Sequence, residues 1–528
     1  MFQKLVKLFQ KDSRSQVLLL IVVTGLIRVF LSATTGLGVG ESYYWRGAQY
    51  LDWSYFDQPP LFFWFSGLSI RLLGLTNLAL RLPAILLFAG SSWLMFTLTR
   101  KLFNERAGFL ATALFNISFV FTVPVASWFQ PDAPLTFFWL LTVRLLTEIF
   151  FETKKEVKLG QWVLVGIALG LTTLSKYHAL FLVASVLIFV LYYSNQRKWI
   201  THPGPYLSVG ITALFLIPVI YWNAQHEWVS FNFQGSRVGG DGLDFSRLGR
   251  SLVGQIAWIA PWLWLPMILQ LIHAGKRMKT DQAQGFLFWC ATLPIVFFTA
   301  IALVSRIGFH FHWQAPGYMM IFPLLGNTVA SRLANNHSLT LKWLRLSSGI
   351  TTFFVVILLV HMTTGFWSFM GPKLVGEAFG TTSDPTIEGV DFEDVKDRFD
   401  SEGWLVDDNL FIATEKWWQT GKIDWPLKGK KDILIFHPDP RNHAYFFDPK
   451  PLLGKDAIYI RYHKDHGLIS EHLLPFFDEV IPIDPIEIKR YGKTELVLDA
   501  FLCKNFQTPA AALNHLPLYR RLMGEEPF

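Results

Sequence analysis

Long apolar runs separated by short polar breaks dominate the first 366 positions of the chain. A membrane-crossing helix takes roughly 20 mostly apolar residues. Runs of that kind are centred in residues 16–33, 82–99, 107–125, 133–150, 161–175, 178–193, 205–222, 252–273, 284–304, 315–330 and 347–366. The pattern predicts eleven spans, the fifth and sixth short and turning around "SKYH". After residue 366 the pattern changes. "SDPTIEGVDFEDVKDRFDSEG" is polar and acidic, and "KDILIFHP", "DAIYIRY" and "TELVLDAFL" are short β-like runs among helical stretches. The expected fold class is an all-α polytopic membrane domain of about 11 transmembrane helices over 1–366, then a soluble α/β domain over 367–528.

The breaks carry a charge pattern. With the N-terminus inside, the inner loops hold Arg100, Lys101 and Arg106; Lys154, Lys155 and Lys158; Arg197 and Lys198; Lys276, Arg277 and Lys279; and Arg332, Lys342 and Arg345. Each is basic, as the positive-inside rule requires. An odd number of spans then puts the soluble domain outside. The start of the chain, with Lys4, Lys7, Lys11 and Arg14 ahead of "QVLLLIVVTGLIRVFLSA", also fits a cleaved signal. An uncleaved first span is preferred, with Arg28 expected to snorkel to the interface.

Composition agrees with this reading. Only 16% of the 528 residues are charged and 52% are hydrophobic, against about 25% charged in soluble chains. The net charge of +7 is spread over the loops, so it reads as topology and argues against a nucleic-acid partner. Cys290 and Cys503 are isolated and make no metal motif.

The outer loops concentrate the candidate chemistry. The first, over 34–81, contains "GESYYWRGAQYLDWSYFDQPPL" with Glu41 and Asp57; later ones contain "ASWFQPDAP" with Asp132, "SKYH" with Lys176 and His178, and "FHFHWQAPG" with His310 and His312. Each residue has a plainer explanation. Asp57 suits a turn, Asp132 suits a helix N-terminus, Lys176 suits an interface and most of the rings suit an aromatic belt. Together they form a stronger case. A carboxylate accepts a hydroxyl proton, and cations bear the charge of a departing phosphate. That is the equipment for group transfer from a lipid phosphate at a membrane surface. The acids also offer ligands for a divalent cation, although no ligand spacing demands one.

In order along the chain, "GESYYWRGAQYLDWSYFDQPPL", "LALRLPAILL", "ASWFQPDAPLTFFW", "GLTTLSKYHALF", "PVIYWNAQHEWVSFNFQGSR" and "FHWQAPGY" resemble the signatures of bacterial polyprenyl-phosphate-dependent glycosyltransferases. These belong to the superfamily of the protein O-mannosyltransferases and the lipid A aminoarabinose transferase, with the GT-C fold. "FIATEKWWQTGKIDW" resembles the start of the group's soluble domain. The resemblance implies an undecaprenyl-phosphate-linked sugar donor and inversion by direct displacement. It implies a lipid or glycan acceptor such as lipid A, with protein less favoured. It also implies a multi-pass place in the bacterial inner membrane, the N-terminus cytoplasmic and the C-terminal domain periplasmic. The group's first loop usually begins Asp-Glu; here Gly40 stands at the Asp position and Glu41 follows. Glu41 is then the first candidate base, Asp132 its competitor, and Asp57 matches the acid before the Pro-Pro pair. Gln58 stands where His or Lys is common. The donor phosphate would fall to Gln58, Arg81, Lys176, Tyr177, His178, Arg237, Arg306, His312 and Tyr318. The first-loop rings are expected to anchor against lipid and stack on sugars.

Two other classes compete. A polytopic lipid or glycan transporter needs no glycosidic chemistry, but usually shows duplicated halves and polar groups at the bilayer midplane; neither is visible. A catalytically degenerate glycan-binding membrane protein would explain Gly40 and Gln58.

Overall fold

The computed structural model describes residues 12–152, 156–237, 242–305, 310, 312–335, 337–366, 385–446, 449–463 and 473–508. The chain divides into two compact units that interleave along the sequence. The first comprises Met1–Leu31, Trp53–Phe62 and Arg81–Phe354; the second comprises Ser32–Asp52, Phe63–Leu80 and Val355–Phe528. A single linear boundary at 366/367 does not capture this division, because most of the segment 34–81 joins the second unit.

The first unit is helical. Among the described residues, six helices are long and apolar enough to cross a membrane: Ser13–Thr34, Asn77–Leu102, Asp132–Phe150, Pro203–Gln225, Gln282–Ile301 and Ser338–Thr364. A bent pair, Phe245–Ile259 and Pro261–Arg277, turns by 106° and makes a seventh if taken as one span. The other expected segments are shorter or broken. Leu159–Ser175 and Ala179–Tyr192 fall below span length. Glu105–Ile117 ends ahead of a π-helical turn at Phe121–Val125 that contains Pro124. Ala315–Met319 and Phe322–Ala334 are separate helices. Hydropathy averages over such breaks, because a proline removes one backbone donor without lowering the apolar count.

Arg28 corrects one expectation. It does not snorkel. It is only 5% exposed, its Nη2 donates to Asn116 Oδ1 at 3.1 Å, and its guanidinium sits 4.6 Å from the centroid of the Phe88 ring. The lipid-type face of that helix is carried instead by Leu18, Val22, Leu26 and Phe30.

The second unit is built on a five-stranded sheet of order β2-β1-β3-β5-β4. The strands are β1 Leu410–Thr414, β2 Ile433–Ile435, β3 Asp456–Tyr462, β4 Phe477–Arg490 and β5 Lys493–Phe506. β2, β1 and β3 run parallel, whereas β5 is antiparallel to both β3 and β4. The three β-like runs read from sequence are β2, β3 and β5. β4 contains Pro482 and Pro485, which argue against a strand, but it lies at the sheet edge, where proline is tolerated, and its register shifts between Ile483 and Ile486. Alternate residues face two cores. Phe411, Ala413, Leu434, Ala457, Tyr459 and Cys503 line one. Ile412, Ile433, Ile458, Ile460 and Leu498 line the other, beneath Val395 and Phe399 of the Glu393–Ser401 helix and Ile423 and Leu427 of the Trp417–Leu427 helix.

The first-loop helix, Val39–Gln49, packs on the Trp417–Leu427 helix. Gly421 permits the approach, since a Cβ there would lie 2.1 Å from the Ser42 carbonyl oxygen. Arg46 donates from Nη2 to Asp424 Oδ1 at 2.7 Å and from Nε to the other carboxylate oxygen. The same Nη2 reaches the Lys431 carbonyl at 3.0 Å. Trp45 meets Trp425 edge-on at 5.5 Å, and Tyr43 meets Trp417 at 4.8 Å while its hydroxyl accepts from Asn442 N–H. Tyr43 and Trp45 are 1% and 0% exposed, so these two rings pack inside the second unit and are not free to face lipid or sugar.

Breaking a buried ion pair strands a charge, whereas replacing both partners does not. Asp424→Asn should therefore destabilise the second unit by about 3 kcal/mol. Arg46→Met combined with Asp424→Leu should cost clearly less. Hydrogen exchange of the Val39–Gln49 amides in the purified full chain measures both.

Candidate functional site

The first unit gathers most of the predicted polar residues from four connecting segments. Asp132 opens the Asp132–Phe150 helix directly after Pro131. Lys176 ends the Leu159–Ser175 helix in extended backbone, which ends the helix and turns the chain into the "KYH" corner. The two side chains meet there. Lys176 Nζ lies 3.0 Å from Asp132 Oδ1 and 3.3 Å from Oδ2, with side-chain exposures of 7% and 4%. At such burial a lone charge would be costly, so each requires the other.

The rest of the corner faces aromatic partners. The His178 ring stacks on Phe298 at 4.5 Å and 21°, and its Nε2 has no hydrogen-bond partner among the described residues. The Tyr177 hydroxyl is 3.2 Å from Ser230 Oγ. The Arg237 guanidinium is bracketed by the Phe233 and Trp313 rings, at 5.2 and 5.3 Å from their centroids. Its backbone carbonyl accepts from the Ser305 hydroxyl. His310 lies 5.5 Å from His312 and 5.3 Å from Trp313, ring to ring. Asp132, Lys176, Arg237, His310 and His312 are close enough to act on one another electrostatically.

Asp57 is 3% exposed. Its carbonyl accepts from Gln234 Nε2 at 2.6 Å, and Phe56 packs on Phe233 at 4.7 Å. This ties the "FDQPP" turn to the Val229–Ser236 helix, with Gln58 half-buried beside it. Arg81 is buried near the start of the Asn77–Leu102 helix. Tyr318 is engaged elsewhere: its hydroxyl donates to Gln255 Oε1 and accepts from Trp264 Nε1, each at 2.8 Å. Arg306 lies outside the described residues. Glu41 belongs to the second unit, where one carboxylate oxygen accepts the Gly38 N–H at 2.9 Å and caps the Val39–Gln49 helix.

Sequence reasoning missed Gln314. It is fully buried, and neither amide atom has a hydrogen-bond partner among the described residues, an arrangement that buried amides rarely adopt. A glutamine between "FHW" and "AP" was the available signal. Among the described residues, no three His, Cys, Asp or Glu groups converge to hold a metal ion.

A profile described as dolichyl-phosphate-mannose-protein mannosyltransferase matches residues 57–222. Over 344 residues the chain is 24% identical to undecaprenyl phosphate-alpha-4-amino-4-deoxy-L-arabinose arabinosyl transferase 1 of Pseudomonas fluorescens, covering 60% of each chain. The crystal structure of ArnT from Cupriavidus metallidurans in the apo state superposes with a TM-score of 0.61, at 14% identity, over 91% of this chain and 97% of that one. The same protein bound to undecaprenyl phosphate gives the same figures. The chain has the fold of these ArnT structures. Among the described residues one unit is helical, with six or seven apolar helices long enough to cross a membrane, and the other carries a small sheet. The profile match includes Asp57, Asp132, Lys176, Tyr177 and His178.

One electrostatic consequence is measurable. Burial, helped by Lys176, His310 and Arg237 and opposed by Asp132, pushes the His312 pKa down to about 3. Unfolded histidine titrates near 6.5. Between those values the unfolded chain takes up a proton that the folded chain refuses. The His312 contribution is therefore complete above about pH 6.5 and is lost as pH falls toward 3. His312→Gln should flatten that part of the pH–stability curve, as thermal unfolding across pH 4–7 will show.

Proposed function

We propose that the chain is an inverting glycosyltransferase that moves a sugar from undecaprenyl phosphate to an envelope acceptor. Lipid A or another glycan is preferred over protein as acceptor, and the reaction lies at the periplasmic face of the inner membrane. The observation that carries this reading is the buried Asp132–Lys176 pair with Arg237, His310 and His312 around it. A carboxylate amid cations, in a helical bundle of this fold, suits a reaction in which a proton must leave and a phosphate must depart. The superposed ArnT has been seen with undecaprenyl phosphate bound, and the P. fluorescens relative is an undecaprenyl phosphate-aminoarabinose transferase, which supports the donor class. In this topology the N-terminus is cytoplasmic, the soluble unit periplasmic, and the shorter and bent helices complete an eleven-span bundle.

In the chemical step the acceptor hydroxyl oxygen forms a bond to the anomeric carbon. The bond from that carbon to the phosphate oxygen breaks, and the phosphate keeps the electron pair. The hydroxyl proton passes to a carboxylate, with Asp132, Asp57 and Glu41 the candidates. Lys176 and Arg237 stabilise the charge that grows on the phosphate. Gln58, Arg81, Tyr177, His178, Arg306, His312 and Tyr318 complete the proposed donor site, directly or by positioning. Lys176 also fixes Asp132, so the two act as one unit and their substitutions should not be additive. A divalent cation is not required by this scheme.

The test compares lipid A and envelope glycans by mass spectrometry in cells with and without the gene, complemented by wild type, Asp132→Asn, Lys176→Ala or Glu41→Gln. A sugar-sized mass should return with wild type and fall about 100-fold with Asp132→Asn or Lys176→Ala at equal membrane levels. The same loss with Glu41→Gln would make Glu41 the base. No mass change in any fraction would overturn the reading and leave transport or glycan binding without turnover.

A further inference from the structure

The first half of the Ser338–Thr364 helix carries cations and apolar side chains on one stripe. Lys342, Arg345, Leu346, Gly349, Ile350 and Phe353 recur at three- and four-residue intervals, which puts them on a single helix face. Among the described residues they line an open groove of about 540 Å³, within the range of ligand clefts, about 300–1,000 Å³. Another face of the same helix is committed to protein. Trp343 Nε1 donates to the Trp262 carbonyl at 3.1 Å, and Trp262 Nε1 donates to Thr351 Oγ1 at 3.3 Å. The Trp262 and Phe354 rings stack at 6.3 Å and 14°. These contacts fix the helix about its axis and leave the groove facing outward.

The groove has a charged end and an apolar end. Lys342 and Arg345 are exposed, and among the described residues no carboxylate pairs with either. Arg332, in the last turn of the Phe322–Ala334 helix just before, adds a third cation to this part of the chain. From Gln282 to Phe366 the sequence contains no Asp or Glu, so the countercharge must come from outside this stretch. Past the cations the lining is apolar. Leu346 and Phe353 are 64% and 60% exposed, and a Cβ at Gly349 would meet no atom within 4 Å, so the glycine leaves a notch between them. From Lys342 to Phe353 the helix rises about 16 Å. That is close to half of a hydrocarbon core about 30 Å thick, the depth of one leaflet. A basic head over an apolar channel of that length matches a lipid that has an anionic head and an acyl chain.

We infer that this groove is a binding site for one anionic phospholipid, with Lys342 and Arg345 on the lipid phosphate and an acyl chain lying along Leu346, Gly349, Ile350 and Phe353. Arginine forms paired hydrogen bonds to phosphate oxygens, and lysine supplies a point charge. The inference stands apart from the transfer reaction and does not require it. The bound lipid is a structural ligand of the last long helix and makes the protein sensitive to the anionic lipid content of its membrane.

The test is native mass spectrometry of the full chain, stripped of lipid in a non-ionic detergent. It is titrated with phosphatidylglycerol or with phosphatidylcholine of the same acyl chains. The wild type should bind one phosphatidylglycerol about 30-fold more tightly than phosphatidylcholine, the preference expected of two cations near a membrane surface. Lys342→Ala combined with Arg345→Ala should abolish that preference. Gly349→Leu keeps both charges and fills the notch, and it should weaken phosphatidylglycerol about tenfold. This variant should fold normally, because a Cβ at that position meets no protein atom. Equal binding of the two lipids by the wild type would overturn the inference. So would a preference that survives the double substitution, or unchanged binding in Gly349→Leu. Displacement of the lipid by millimolar inorganic phosphate would reduce the site to one for a bare anion, and a preference lost in Lys176→Ala would move it to the proposed transfer site; either result overturns the inference. None of these readouts uses sugar transfer, so the two readings fail separately.

Discussion

The Arg46–Asp424 pair holds the Val39–Gln49 helix to the sheet unit, and much else depends on it. Both groups are nearly inaccessible, at 6% and 1% exposure. Burying two charges costs several kcal/mol each unless geometry and further hydrogen bonds offset it. Here the guanidinium makes two bonds to the carboxylate and one to the Lys431 carbonyl. Around it, Lys422 Nζ donates to the Leu37 and Val390 carbonyls at 2.6 and 2.5 Å. Asp391 accepts from Leu37 N–H and Asn77 Nδ2. The loop is thus stapled at several points, and the helix that carries Glu41 inherits their rigidity.

This explains what was legible in the sequence and what was not. Each expected apolar run falls on a helix or a broken pair, because apolar content is local, but among the described residues only six helices, or seven with the bent pair, are long and apolar enough to cross a membrane. The breaks were invisible, since the π-helical turn at Pro124 and the bend at Ala260 change backbone direction without changing hydropathy. The tyrosines and tryptophan of "GESYYW" read equally well as interfacial, sugar-stacking or core residues. Only their partners Trp417, Trp425 and Asn442, nearly 400 positions away, decide between these. Arg28 was misread for the same reason. A guanidinium near a span end can reach water or an internal amide, and Asn116 lies in another helix.

The site was legible as a set more than as a mechanism. Asp132, Lys176, Arg237 and the two histidines were named from loops that alternate along one expected face, and the structure brings them together. Their individual roles depend on who touches whom. The ion pair shows that Asp132 and Lys176 are partners, and the bracketing of Arg237 by Phe233 and Trp313 fixes a guanidinium that sequence alone left free. Gln314 escaped notice because an amide between aromatic and proline neighbours looks like a loop residue until its burial is seen.

The interleaving of the two units sets a schedule for synthesis. Arg46 and Asp424 are separated by 378 positions in the chain. At about 5–20 residues per second, the first-loop helix waits roughly 20–80 s after it emerges before its partner exists. During that interval Tyr43 and Trp45 have no core to enter. The vulnerable period therefore opens when only the first long apolar helix has been made and lasts through synthesis of all the later ones.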